Sequence, residues 1–345
     1  MKRLILLTLI LSQLIPAMAR QKDSDRPYLT KSFNGTSIKN VRAETSGGSL
    51  TVTGSSGKEA KVEVYVRTNG NNRNISDEEI KKLLSENYDI DIAVSGDELR
   101  AIASSKGNIN WKKSLSISFR IFVPSKISSK LHTSGGSIRL SDLSGNHDFS
   151  TSGGSLHIEG LSGMLSGKTS GGSIYVANSK GTVDLKTSGG SIEAVKCNGT
   201  IDLSTSGGSL KLEQLQGNIK ARTSGGSISG NSISGELFSH TSGGSIRLEQ
   251  LACSLDASTS AGGVTASFTT PGKFVKINVS AGSATLALPK NKGFNLDLNG
   301  GRINAGTLNN FNGIVEKDKI KGSLNGGGTD VYVRTSAGSV SIDWR

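Results

Sequence analysis

Five basic or aromatic side chains recur at multiples of eighteen positions in the middle of the chain. They are Arg139, His157, Tyr175, Lys211 and Arg247. If side chains separated by this interval lie side by side, these five form one strip on the surface. A strip of basic and aromatic groups is suited to contact with an acidic glycan. Glu193 and Ser229 fill the two remaining places and interrupt the strip.

Two further rows of charge follow the same period. The acidic row contains Asp148, Asp184, Asp202 and Asp256, and the basic row contains Lys168, Lys186, Arg222 and His240. Neighbouring rows of opposite charge could bind a charged polymer. Mutual pairing is the favoured interpretation, because paired charges also protect a β-rich surface against sideways aggregation.

No motif predicts catalysis or metal binding. Calcium-binding rolls need an aspartate in each glycine turn, and these turns read TSGGS. The four histidines lack metal-ligand spacing, and the recurring serines lack the G-x-S-x-G context of a nucleophile. No carboxylate pair is singled out as a glycosidase pair. We therefore predict no enzyme activity, no catalytic or metal-binding residues and no cofactor, with a carbohydrate-active β-helix enzyme as the alternative.

A strict repeat must position these side chains. The tetrad TSGG begins at Thr133, Thr151, Thr169, Thr187, Thr205, Thr223 and Thr241, with TSAGG at Thr259, so every step has the same length. Counting the threonine as position one, apolar residues alternate around positions six, eight, eleven and fifteen, which indicates two short strands per repeat. Glycines at positions three, four and thirteen are expected at the corners, where positive φ is easily adopted.

The uniform period predicts a mainly β fold. We expect a single-stranded β-solenoid (a β-helix or β-roll) with about 18 residues per turn, in which each strand lies about 4.8 Å from its equivalent. An up-and-down meander is the alternative, but it explains the spacing less well because hairpin loops vary in length.

The rest of the chain divides around this array. Residues 1–19 have the charged start, apolar core and A-x-A site of a cleaved signal peptide. Residues 20–130 are expected to form an irregular αβ cap with one short helix, which begins at the capping box of Ser76 and ends near Tyr88. Residues 131–345 are expected to form the solenoid, with degenerate C-terminal turns. Cys197 and Cys253 fall three turns apart, too far for a disulfide.

Charge limits the partners. The formal net charge is +12, and removing Lys2 and Arg3 with the signal peptide leaves +10. A basic exported protein favours anionic partners such as an anionic glycan or cell surface; the alternative is that the charge only keeps the β-rich chain soluble. No nucleic-acid module is visible, and no segment after the signal peptide is long and apolar enough to span a membrane. The oligomeric state stays open.

Several segments together resemble a known bacterial family. They are the early SGG at Ser46–Gly48, the strand Ile117–Pro124 that ends in FVP, the serial TSGGSI turns and the closing GSLNGGGTDVYVRTSAGSVSI. The family consists of exported β-solenoid domains that are regarded as candidate adhesins and are otherwise of unknown function. The resemblance implies a location in the periplasm, on the cell surface or outside the cell, and a non-enzymatic surface-binding role. It implies no defined site residues. A structural or signalling-associated envelope protein is a further alternative.

Overall fold

The computed structural model describes residues 26–35, 37–57, 59–68, 76–107 and 114–345. The predicted signal peptide lies outside these ranges. The strands and helix of the N-terminal part are β1 (Leu29–Phe33), β2 (Asn40–Thr45), β3 (Leu50–Ser55), β4 (Ala60–Thr68), α1 (Asp77–Asn87), β5 (Tyr88–Ser95), β6 (Glu98–Ser105) and β7 (Leu115–Pro124). The helix begins where it is predicted, because the Ser76 side chain accepts a hydrogen bond from the Glu79 N–H at 3.3 Å.

The repeat array alternates short and long strands. Its elements are β8 (Ser128–Thr133), β9 (Ile138–Ser141), β10 (Ser144–Thr151), β11 (Leu156–Glu159), β12 (Ser162–Thr169), β13 (Ile174–Ala177), β14 (Lys180–Thr187), β15 (Ile192–Val195), β16 (Asn198–Thr205), β17 (Leu210–Glu213), β18 (Gln216–Thr223), β19 (Ile228–Asn231), β20 (Ser234–Thr241) and β21 (Ile246–Ala261).

The remaining strands form the C-terminal part. They are β22 (Val264–Phe268), β23 (Phe274–Ala281), β24 (Ala284–Leu288), β25 (Phe294–Asn299), β26 (Arg302–Asn304), β27 (Phe311–Val315), β28 (Lys319–Leu324), β29 (Thr329–Ala337) and β30 (Ser339–Trp344).

Strands in the array pair in parallel, and each residue lies beside its equivalent in the next repeat. Thr151 lies beside Thr169 in the sheet of long strands, which we call sheet B, and Leu156 lies beside Ile174 in the sheet of short strands, sheet A. This confirms the solenoid and excludes the meander, whose neighbours would be antiparallel. In the described chain, sheet B stacks parallel strands in the order β6, β2, β8, β10, β12, β14, β16, β18, β20, β21, β23, β29, β25. At about 4.8 Å per layer the rod is roughly 60 Å long.

Both ends of the rod depart from chain order. Strands β2 and β3 lie between the later pair β6 and β7 and the array, so Thr45 lies beside Thr133 although the two are distant in sequence. At the other end, the last pair, β29 and β30, is inserted between β23–β24 and β25–β26. Parallel pairing therefore reaches N-terminal of residue 131, where the sequence places the start of the array.

Inward side chains fill the space between the two sheets with apolar ladders. Ile138, Leu156, Ile174 and Ile192 follow one another at position six and are each 1% exposed or less. The threonine at position one also points inward and joins successive turns. The Thr187 hydroxyl donates to the Gly172 carbonyl of the preceding turn at 2.7 Å and accepts the Gly190 N–H at 3.3 Å. This buried hydroxyl is thus satisfied, as burial requires.

Corner geometry agrees with the prediction at one glycine position and differs at the others. The glycines at position thirteen have positive φ, from +102° at Gly235 to +151° at Gly145. The glycines at position four do not have positive φ. Glycine is required there because the backbones of successive turns stack closely. A Cβ on Gly172 would lie 2.0 Å from the Gly154 carbonyl oxygen, whereas a Cβ on Gly171 would make only ordinary contacts at 3.7 Å.

A second left-handed corner lies at position ten, where the sequence shows no consistent glycine. Non-glycine residues adopt φ between +52° and +57° there, and Gly160 adopts +68°. The non-glycine residues are Asp142, Asn178, Lys196, Gln214, Ser232 and Gln250. The stacked turns impose this conformation, since lysine and glutamine do not favour it locally.

Both cysteines are buried as free thiols. Burial raises the pKa of the Cys253 thiol to about 12, so this thiol stays protonated and unreactive. Among the described residues, no helix is long and apolar enough to cross a membrane.

Candidate functional site

A shallow groove runs along the outer face of sheet A, parallel to the rod axis. Its volume is ≈ 630 Å³. We call it the axial groove; it is formed by positions five to seven of successive turns. The lining residues are Ser137, Ile138, Arg139, Ser155, Leu156, His157, Ser173, Ile174, Tyr175, Ser191, Ile192, Glu193, Ser209, Leu210, Lys211 and Ser229. Because the lining spans several turns without interruption, the groove suits an extended ligand more than a compact one.

One wall of the axial groove is a row of serine hydroxyls at position five. In three of them the oxygen accepts a backbone N–H group from the next turn: Ser137 accepts from Ser155 and Ser191 from Ser209, each at 3.1 Å, and Ser209 accepts from Ser227 at 3.2 Å. These bonds fix the positions of the three oxygens and leave their hydroxyl hydrogens to donate. The wall is therefore polar and neutral, and its hydroxyl groups are regularly spaced. The sequence pattern of basic and aromatic residues did not predict it.

The aromatic centre of the axial groove is a stacked pair. The rings of His157 and Tyr175 lie 4.9 Å apart between centroids, at 19° between planes, and both side chains are half-exposed. Sheet A places them in adjacent turns with direct register, so their stacking follows from the repeat period. The pair forms a flat, partly apolar platform bordered by the serine row.

The charge of Lys211 is compensated. Its ammonium group lies 3.0 Å from Glu193 and 2.8 Å from Glu213. The hydrogen bond to Glu213, and then the one to Glu193, raises the pKa of Lys211 above its ordinary value. Glu193 belongs to the same row, one turn earlier, and Glu213 lies two residues on at position nine. Lys211 thus cannot offer a free positive charge to a ligand.

Arg139 is different. It is exposed at the N-terminal end of the groove lining, one turn before His157, and has no carboxylate within 4.0 Å in the described part of the chain. Four predicted strip residues therefore line one groove, namely Arg139, His157, Tyr175 and Lys211. Arg247 lies in the same row but two turns beyond Lys211, outside the groove.

The predicted mutual pairing of the charged rows on sheet B is seen for two pairs among the described residues. Lys186 lies 2.9 Å from Asp184, and Arg222 lies 2.8 Å from Asp202. Asp256 pairs with Lys276 at 3.2 Å, a partner that lies beyond the regular array. These pairs are exposed and contribute little to stability individually.

Each histidine among the described residues contacts a side chain of a neighbouring turn. His132, His147 and His240 each contact a serine hydroxyl one turn away, at 2.9, 2.9 and 2.8 Å. His157 lies 3.8 Å from Glu159, besides stacking on Tyr175. Within the described residues no group of three or more His, Cys, Asp or Glu side chains could hold a metal ion.

Residues 89–343 match the family model Toastrack DUF4097. Two solved structures are similar to the chain. One is a candidate cell adhesion protein from Clostridium sporogenes ATCC 15579, with 14% identity, a TM-score of 0.18 and coverage of 93% of this chain and 100% of that chain. The other is a candidate adhesin from Bacteroides fragilis NCTC 9343, with 14% identity, a TM-score of 0.22 and coverage of 92% and 96%. At such low TM-scores neither likeness bears on the fold or the function. No curated protein matches the chain.

Proposed function

The chain belongs to the Toastrack DUF4097 family, and we propose that it is an exported, non-enzymatic, adhesin-like protein that binds an extended anionic glycan along the axial groove. The observation that carries this proposal is the stacked pair of His157 and Tyr175 in one continuous groove with Arg139, which has no carboxylate partner in the described part of the chain. The predicted signal peptide supports export.

Each part of the axial groove has a role in this proposal. The ring platform packs against the apolar face of one sugar, as aromatic side chains do in carbohydrate sites. The serine hydroxyls donate to sugar oxygens on the neighbouring residues. Turns lie about 4.8 Å apart, so a sugar of similar length advances by roughly one turn per residue.

Charge recognition is confined to one end of the axial groove. Arg139 supplies a planar donor pair that fits a carboxylate or sulfate. Because two carboxylates neutralise Lys211, the groove favours a glycan with a single acidic group near the platform over a densely charged glycan. The net charge of the chain contributes long-range attraction, which salt screens.

The test is calorimetric titration with oligogalacturonate and with its methyl ester, after a glycan array has shown which acidic chains bind. These two probes differ in charge at each sugar. We expect Tyr175→Ala to weaken binding of both about tenfold, since one good contact is worth about 1.4 kcal/mol. Arg139→Ala should weaken binding of the acidic chain by a similar factor and leave the ester unaffected.

Arg247→Ala is the matched control, because it removes the same charge from the same row outside the groove. If it weakens binding as much as Arg139→Ala, the groove is not the site. Absence of any acidic glycan ligand on the array at physiological salt would count against the proposal as a whole.

A further inference from the structure

The row of basic side chains in the axial groove continues past the groove toward the N-terminal part of the chain. Strand β3 lies between β7 and β9, and its Thr51 is directly beside Arg120 of β7 and Arg139 of β9. Both arginines are exposed, and Thr51 is half-buried between them. The two arginines are therefore neighbours along the rod axis, separated by two layers, or about 9.6 Å.

The serine wall of the axial groove follows the same path. The Ser49 hydroxyl accepts the Ser137 N–H at 3.3 Å, and the Ser118 hydroxyl accepts the Ser49 N–H at 3.0 Å. Ser118 lies in β7, two residues before Arg120. A ligand that leaves the groove at Arg139 therefore meets the same kind of surface for two more layers.

Arg120 is held in place, and its surroundings keep a net positive charge. Its guanidinium carbon lies 4.3 Å from the centre of the Tyr65 ring, and the group donates to the Tyr65 hydroxyl at 3.2 Å. Glu63 lies beside Arg120 in the sheet, but its carboxylate contacts Lys61 at 2.7 Å and accepts the Tyr65 hydroxyl at 2.9 Å. Two cations and one carboxylate leave a charge of +1 at this end of the row. The guanidinium also retains N–H groups that can donate to a ligand.

The two sides of the ring platform differ in charge. On the C-terminal side, Lys211 and the two carboxylates that bind it sum to −1. On the N-terminal side, Arg139 and the +1 around Arg120 sum to +2, against the one carboxylate of Glu159 beside the platform. An anionic chain is therefore attracted from the platform toward Arg120 and not toward Lys211.

We propose that the glycan bound by the axial groove carries an acidic group on every second sugar, and that it extends past Arg139 to bind Arg120 as well. This inference rests on the proposed function, which places about one sugar in each layer. Acidic groups on alternate sugars then lie two layers apart, as the two guanidinium groups do. The sugar between them faces Thr51, which offers a neutral hydroxyl. A carboxylate on that sugar would lose water without gaining a cation of its own.

The test is calorimetric titration of the mature protein with three hexasaccharides. Hyaluronan carries a carboxylate on every second sugar, its methyl ester carries none, and hexagalacturonate carries one on every sugar. We expect hyaluronan to bind about tenfold more tightly than hexagalacturonate. Arg120→Gln should weaken binding of hyaluronan about tenfold and leave binding of the ester unaffected. Arg120→Lys, which keeps the charge, should restore part of the loss, and circular dichroism should show that both variants remain folded.

A second variant separates the spacing of the acidic groups from the identity of the sugars. Thr51→Lys places a cation in the layer between the two arginines. It should shift the ratio of the two affinities about tenfold toward hexagalacturonate, because the intervening carboxylate then gains a partner.

The outcomes distinguish this inference from the proposed function. If Arg139→Ala weakens binding of hyaluronan and Arg120→Gln does not, the extension to Arg120 is wrong and the proposed function stands. If hexagalacturonate binds as tightly as hyaluronan, or Thr51→Lys leaves the ratio unchanged, the alternation of acidic and neutral sugars is wrong. If Tyr175→Ala leaves binding of every probe unchanged, the proposed function fails and this inference fails with it.

Discussion

Acid should weaken the stack first around His147. This histidine occupies position fifteen, an inward place that Leu165, Val183 and Ile201 fill in later turns, and it is 2% exposed. Its Nδ1 contacts the Ser129 hydroxyl at 2.9 Å, while its Nε2 is buried without a partner among the described residues. Burial lowers the pKa of His147 from 6.5 to about 4, because the charged ring would lose its solvation.

The sign and size of the effect follow from this shift. The unfolded chain takes up the proton more readily, so the neutral buried ring contributes stability above pH 6.5 that is lost as the pH falls towards 4. At about 1.36 kcal/mol per pKa unit, the loss reaches up to about 3 kcal/mol once the ring is protonated, with roughly 2.5 kcal/mol lost by about pH 4.5.

The perturbation is the double variant Ser129→Ala/His147→Leu, which removes the titrating ring and does not leave its serine partner unsatisfied. Urea denaturation followed by circular dichroism at neutral pH and near pH 4.5 should show a smaller loss of stability for the variant, by about 2 kcal/mol. Hydrogen exchange in β8 and β10 should show the same difference locally. His240→Leu, at an exposed histidine that also contacts a serine, should keep the wild-type pH profile. If the double variant loses as much stability in acid as the wild type, the buried ring is not responsible.

Two further predictions concern the stacking itself. Gly172→Ala should lower the free energy of unfolding by about 2 kcal/mol or more, because its Cβ would meet a carbonyl oxygen at 2.0 Å. Gly171→Ala, one residue earlier, should change it by less than about 0.5 kcal/mol. Thermal melts of the two variants check this, and equal losses would contradict the register. Deleting residues 329–345 should expose β25 as well as β23, because the deleted strands lie between them. Hydrogen exchange should then show loss of protection at 294–299, and retained protection there would mean that β25 does not depend on the final strands.

The sequence is sufficient to predict the array, because a period without insertions sets the register of every turn. It therefore also predicts that His157 and Tyr175 are neighbours in adjacent turns, which needs no information beyond their separation by one repeat. Corners at position ten could not be predicted, since Lys196 and Gln214 adopt positive φ only because neighbouring turns hold them there.

The ends and the charges of the axial groove also lie beyond the repeat pattern. Insertion of β2–β3 and β29–β30 into the stack depends on contacts between segments that share no period. Of the two carboxylates that neutralise Lys211, Glu213 lies at position nine, outside the row that suggested a binding strip. A row of residue types shows which side chains are neighbours along the axis, and it does not show which cations remain unpaired.

Because each turn of the array contacts copies of itself at a fixed register, the chain can gain or lose whole repeats without disturbing either tip. Duplication of one repeat in the gene would lengthen the rod by one layer, about 4.8 Å, and would extend the serine wall by one hydroxyl. Evolution can therefore adjust the length of the rod in equal steps while the surfaces at the two tips stay unchanged. A protein built in this way can match its reach to the distance between two surfaces without redesigning its core.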